Sequence, residues 1–140
     1  MKAGRARVRA KRGVLKADAE KWLELEVADL ILRSKKGSRL AKWAIYCAGY
    51  AIEFALKAHI CNVLGVDELP VGYETHDLNK LAQSAGIHAA LIREQKRNWQ
   101  SITGTWSTAL RYTGKRFSTR DAEIFIARVR EVLRWLKKQP

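Results

Sequence analysis

Proline is nearly missing from this 140-residue chain, which has two, and only nine glycines punctuate it. Both residues break helices, so their scarcity leaves long helices open. No run of about 18 uncharged apolar residues occurs, which argues against a membrane span. The first residues are basic but lack the apolar stretch of a secretory signal, so the chain is expected in the cytoplasm. There are two cysteines, Cys47 and Cys61. On one continuous helix they stand about 21 Å apart, too far for a disulfide with each other. Both are expected to be buried thiols.

The familiar chemical signatures are missing as well. There is no Gly-x4-Gly-Lys-Ser/Thr phosphate loop and no Gly-x-Gly-x-x-Gly between a strand and a helix. No serine sits in a Gly-x-Ser-x-Gly elbow. His59, His76 and His88 show no metal-ligand spacing with one another or with the cysteines, so no metal site and no cofactor is expected.

Acid is short too, and unevenly so. Lys and Arg number 27 against 14 Asp and Glu, giving a net charge of +13. Residues 1–16 hold seven basic residues and no acid; residues 17–92 hold eight basic and ten acidic; residues 93–140 hold twelve basic and four acidic. This asymmetry points to an anionic partner such as RNA, DNA or a nucleotide, or to a solubilising surface.

Apolar spacing settles the fold class. Residues 1–16 have no periodicity and are expected to be a disordered basic arm. A first helix is predicted from a cap at Asp18 to about Lys35, with Leu23, Val27, Leu30 and Ile31 as its stripe. A second, from about Arg39 to Leu64 with Ser38 as its cap, is apolar nearly all round and should be central. Gly65 ends it, and the stretch to Glu74 is a loop. Thr75 is expected to cap a short helix carrying His76, Leu78 and Leu81. A fourth segment spans about Ile87 to Ile102, and residues 103–117 are irregular or short turns. Ser118-x-x-Asp121 opens a last helix to about Lys138, with Phe125, Val129, Val132 and Leu136 inward. The expected fold is all-α, an antiparallel up-and-down bundle of four to five helices, with residues 17–138 as one domain.

Three constellations stand out. Lys42, Tyr46, Gly49 or Tyr50, Glu53 and Lys57 share one face of the greasy second helix. They form either a solvated stripe with a Glu53–Lys57 i, i+4 pair, or a polar groove for a nucleotide, RNA or partner chain. Asp77 after His76 suits a helix start, and a histidine there is either structural or a proton carrier. Arg111 and Tyr112, with Trp106, Lys115 and Arg116 nearby, suit phosphate and base contacts, or an arginine anchoring a loop.

Taken in order, GYAIEFALKAHI at 49–60, THDLNKLAQSAG at 75–86, LRYT at 110–113 after a tryptophan, and VLRWLKK at 132–138 resemble the HEPN domain family. These are small helical bundles found in higher eukaryotes and prokaryotes. The resemblance covers roughly residues 17–138. It implies a bundle that often dimerises and acts around RNA, nucleotides and defence or toxin–antitoxin systems, often beside a minimal nucleotidyltransferase. Many relatives are metal-independent RNases using an arginine and a histidine with four to six residues between them. That pattern is missing here: the fifth to seventh positions before His59, His76 and His88 hold no arginine.

The expectation is therefore a non-catalytic module that binds nucleotide, RNA or a nucleotidyltransferase partner, as a homodimer. Its ligand contacts would come from Lys42, Tyr46, Glu53, Lys57, His76, Asp77, Arg111 and Tyr112. One alternative is a degenerate RNase using His76 and Arg111 brought together in space. The other is a structural or antitoxin-like interaction protein.

Overall fold

The computed structural model describes residues 10–21, 30, 31, 33 and 38–140. Its α-helices are α1 (Arg12–Lys21), α2 (Ser38–Leu64), α3 (Leu78–Ser84), α4 (His88–Glu94), α5 (Lys96–Thr105) and α6 (Thr119–Lys137). Short 3₁₀ turns cover Val71–Tyr73 and Thr108–Tyr112. Among the described residues there is no strand, only an isolated bridge between Lys11 and Glu68. The expected all-helical bundle is what forms.

Helix α2 is its axis. Ala41, Ala44, Ile45, Ala48, Ile52 and Leu56 are fully buried on it, so it packs against neighbours on several sides, as an all-round apolar helix must. Opposite ends of α1 and α2 meet: Arg12 donates to Asn62 at 3.1 Å, while Ala19 lies across from Ala55. Helix α5 runs against α6, with Asn98 reached by Arg128 at 3.2 Å and Thr105 near Asp121. Helices α2 and α6 then run the same way, Ile45 near Phe125 and His59 near Lys137. That alternation is an up-and-down bundle.

Several ends form where the sequence placed them. Gly65 has φ +66°, open to glycine at no steric cost, and Val66 N–H donates back to Cys61 O at 3.0 Å, closing α2. Ser118 and Asp121 form a full capping box at the start of α6: Asp121 N–H donates to Ser118 Oγ at 3.0 Å and Ser118 N–H to Asp121 Oδ2 at 2.8 Å. Phe125, Val129, Val132 and Leu136 are all buried.

Other expectations are corrected. The basic start is not an arm throughout: residues 1–9 lie outside the described residues, but Arg12 begins α1 and Leu15 is buried in the core. Arg12 N–H donates to Asp67 O at 2.8 Å, its guanidinium pairs with Asp67 at 3.0 Å, and Leu69 N–H donates to Ala10 O at 2.8 Å. Asp18 therefore sits inside a helix rather than capping one. Most of the predicted stripe of the first helix lies outside the described residues; Leu30 and Ile31 do pack on the core. The expected segment Ile87–Ile102 is two helices broken at Gln95, which leaves the helical region (φ −130°, ψ 27°) while its side chain accepts from Asn98 at 2.9 Å. No glycine or proline marks that break. Cys61 is buried as expected, whereas Cys47 is only half-buried; neither forms a disulfide.

Among the described residues no helix is long and apolar enough to cross a membrane, and no group of three His, Cys, Asp or Glu side chains is placed to hold a metal ion.

Candidate functional site

Glu53 lies in the middle of α2 and is 1% exposed. A carboxylate so placed is costly unless both oxygens are held. Both are: Lys57, one turn on, donates Nζ to Oε2 at 3.2 Å, and His76 Nδ1 lies 2.8 Å from Oε1. The Lys57 side chain is itself only 11% exposed. The pair expected from i, i+4 spacing is real, but the solvated-stripe reading of this face is not. The loop before α3 folds over α2 and closes the carboxylate off.

His76 differs in exposure, at 59% for its side chain. With Nδ1 committed to Glu53, the outer nitrogen Nε2 faces away from the carboxylate. A carboxylate on one ring nitrogen fixes the tautomer and the orientation of the other, the usual preparation of a histidine for ligand or proton contact. His76 is not inside a helix, as expected earlier, but two residues ahead of α3. The N-cap is Asp77 rather than Thr75: its Oδ1 accepts from Lys80 N–H at 3.1 Å, and its own N–H donates to Thr75 Oγ1 at 3.2 Å. Asp77 thus holds the chain that presents His76.

Aromatic rings build the rest of the wall. Tyr50 is the hub, edge-on to Tyr46 at 5.0 Å, to Trp106 at 5.3 Å and to His76 at 6.2 Å between centroids. The hydroxyls of Tyr46 and Tyr50 are hydrogen-bonded to each other at 3.1 Å. Burial, followed by this hydrogen bond, pushes the Tyr50 phenol well above its ordinary range, while the charge of Arg111 pulls the other way. Tyr50 stays a neutral phenol, and Arg111 lies within electrostatic reach of it.

Trp106 reaches this cluster because of Gly49. A Cβ on Gly49 would lie 2.0 Å from the indole Nε1, so only glycine admits the ring. The same Nε1 donates to Tyr46 O at 2.9 Å. The sequence singled out Gly49 and Trp106 separately but gave no sign that they touch. A glycine alone in a 27-residue apolar helix was the available signal.

Beside His76 opens a groove of about 450 Å³ whose walls include Asn79, Thr103, Trp106, Ser107 and Thr108. Its hydroxyl and amide groups are of the kind that meet sugar and phosphate oxygens. Arg111 and Tyr112 stand on the exposed turn that follows, Arg111 donating to the Tyr112 hydroxyl with its guanidinium 4.5 Å from the ring centroid. Lys42 does not reach Glu53; its Nζ donates to Thr113 O at 3.0 Å and pins that turn to α2. The structure therefore joins Glu53, Lys57, His76, Tyr46 and Tyr50 directly, brings Arg111 near, and uses Lys42 and Asp77 as supports.

Residues 15–139 match the family model of the HEPN domain. The chain belongs to the HEPN domain family. Nothing among curated proteins or solved structures matches it significantly. Membership of the HEPN family connects the chain with nucleotide- and RNA-related functions, common in toxin and defence systems. The matched span takes in every candidate residue above.

Proposed function

We propose that this HEPN domain binds single-stranded RNA, or its nucleotide unit, in the groove beside His76. The observation that carries this reading is the Glu53–His76 contact: a 1% exposed carboxylate fixes an imidazole that is 59% exposed at the groove's edge. His76 Nε2 and Arg111 would meet phosphate oxygens. Tyr112 offers an exposed ring for a base to stack on. The hydroxyls of Thr103, Ser107 and Thr108 suit ribose. The net charge of +13 adds a sequence-independent attraction to the backbone. The test is fluorescence titration with a short RNA lacking a terminal phosphate. His76→Ala with Arg111→Ala should weaken binding about tenfold or more, equivalent to about 1.4 kcal/mol. Binding unchanged in that double variant overturns the reading.

The same contact favours a second reading, metal-independent RNA cleavage with His76 as proton carrier and Arg111 as charge partner. The arginine–histidine spacing of the family's RNases is missing, but Arg111 comes within electrostatic reach of Tyr50, whose ring faces His76. An RNA-cleavage assay with and without EDTA separates the two readings. EDTA-resistant cleavage lost in His76→Ala would establish catalysis.

We also propose a homodimer or a nucleotidyltransferase complex as the working assembly in the cytoplasm. Trp43, Val63 and Leu64 are exposed apolar side chains on α2 that such a contact would cover. Light scattering should give about twice the 15.9 kDa chain mass for the homodimer.

A further inference from the structure

Asn79, the second residue of α3, is half-buried in the wall of the groove beside His76. Its amide is held one way round. Trp99, 1% exposed on α5, donates its indole N–H to Asn79 Oδ1 at 2.8 Å. An indole can only donate, so the amide oxygen faces Trp99 and the Nδ2 hydrogens face away from it. His88 Nε2 lies 3.2 Å from the same Oδ1, which makes that nitrogen the donor. Flipping the amide would set N–H against N–H at both contacts. No hydrogen bond among the described residues uses Nδ2, which is left as a fixed donor.

Thr103 lines the same groove with the opposite polarity. It stands one turn after Trp99 on α5, and its hydroxyl donates to Trp99 O at 3.0 Å, with Gln100 O at 3.5 Å. Both are carbonyls, which only accept, so the hydroxyl hydrogen is spent on the helix. Thr103 Oγ1 therefore offers the groove lone pairs alone. One residue sets both groups: the Trp99 ring makes Asn79 a donor, and the Trp99 carbonyl makes Thr103 an acceptor. Ser107 and Thr108 carry hydroxyls that rotate into either role and impose no such choice.

We propose that the groove reads ribose 2′-hydroxyls, Asn79 Nδ2 donating to them and Thr103 Oγ1 accepting from them, so that the site selects RNA over DNA. This rests on the reading of the groove as a single-stranded RNA site and assigns the atoms that tell RNA from DNA. A phosphate oxygen only accepts and leaves Thr103 without a partner, and the C2′ of deoxyribose answers neither group. A 2′-hydroxyl is both donor and acceptor and answers both. An adenine edge also joins a donor to an acceptor, but asparagine reads it with both amide atoms. Asn79 Oδ1 is already engaged twice.

The experiment is fluorescence titration of the full chain with RNA and DNA of one short sequence, deoxyuridine replacing uridine, neither with a terminal phosphate. The wild type should bind the RNA at least tenfold tighter, because an unanswered donor and acceptor penalise the deoxy strand. Asn79→Asp keeps the acceptor for Trp99 and His88 but removes the donor, and Thr103→Val removes the acceptor at similar volume. Each should bring the RNA-to-DNA ratio below threefold. Equal binding of RNA and DNA by the wild type overturns the proposal, and so does a tenfold ratio kept in either folded variant. If the wild type binds both strands equally and His76→Ala/Arg111→Ala loses both, the groove stands as the site and only the 2′-hydroxyl readout falls. RNA binding untouched by that double variant overturns the parent reading and this one with it. Should a variant misfold, the side-chain amide resonance of Asn79 in the wild type decides. RNA should move it and DNA should leave it in place, and an unmoved signal at saturating RNA overturns the proposal.

Discussion

Glu53 and His59 stand six residues apart on one helix, both buried and both polar, yet the protein treats them in opposite ways. Glu53 receives partners from the chain on both oxygens, Lys57 from its own helix and His76 from the loop before α3. Among the described residues His59 Nε2 has no hydrogen-bond partner. The Glu53 face is a finished network whose outward-facing product is a fixed histidine. The His59 face leaves one buried ring nitrogen unsatisfied among the described residues. Burial of a polar group is thus no single signal: what matters is who satisfies it.

The largest expected effect breaks this comparison by substitution. Glu53→Ala strands the nearly buried Lys57 ammonium and frees His76, and should cost about 3–5 kcal/mol in the denaturant midpoint. A double-mutant cycle with Lys57→Ala should show coupling well above about 0.5 kcal/mol. His59→Leu removes an unsatisfied group at similar volume, and should be neutral or stabilising by up to about 1 kcal/mol. Equal costs at both positions would erase the distinction between the two faces.

A smaller effect sharpens it. Gly49→Ala pushes Trp106 off α2 and breaks its bond to Tyr46 O, for a loss of about 1–3 kcal/mol and a shift in tryptophan emission. Gly104 on α5 has open space around its Cβ position, so Gly104→Ala should instead gain up to about 1 kcal/mol from helix propensity.

The smallest effect is in pH dependence. The folded His59 is held below the ordinary histidine range, so protonation favours the unfolded chain. Its contribution to stability is complete above about pH 6.5 and is lost as pH falls through the folded value, at up to about 1.4 kcal/mol per pH unit. The unfolding free energy of His59→Leu should fall less steeply over that window. Identical slopes would remove His59 from the account.

The bundle was legible because its signals are local. The all-apolar α2, the Gly65 stop, the Ser118–Asp121 box and the stripe of α6 each lie within a few residues of sequence. Glu53 and Lys57 were legible as a pair for the same reason. Their burial was not, because it depends on the loop carrying His76, 23 positions away from Glu53. Gly49 against Trp106 depends on a still more distant segment. The turn at residues 10–12, held by Asp67 and Leu69, was hidden by a composition that looks like an arm. Long-range packing decides which polar residues become a site, and spacing alone does not carry it.

The central claim is that the fixed, outward-facing His76 and Arg111 on the 108–112 turn form the nucleic-acid contact proposed for this HEPN domain. Its most direct measurement is the affinity of the wild type, His76→Ala/Arg111→Ala and His59→Leu for one short RNA without a terminal phosphate, at one salt concentration. The account predicts at least tenfold weaker binding for the double variant and wild-type binding for His59→Leu. Equal affinity in all three proteins would contradict it.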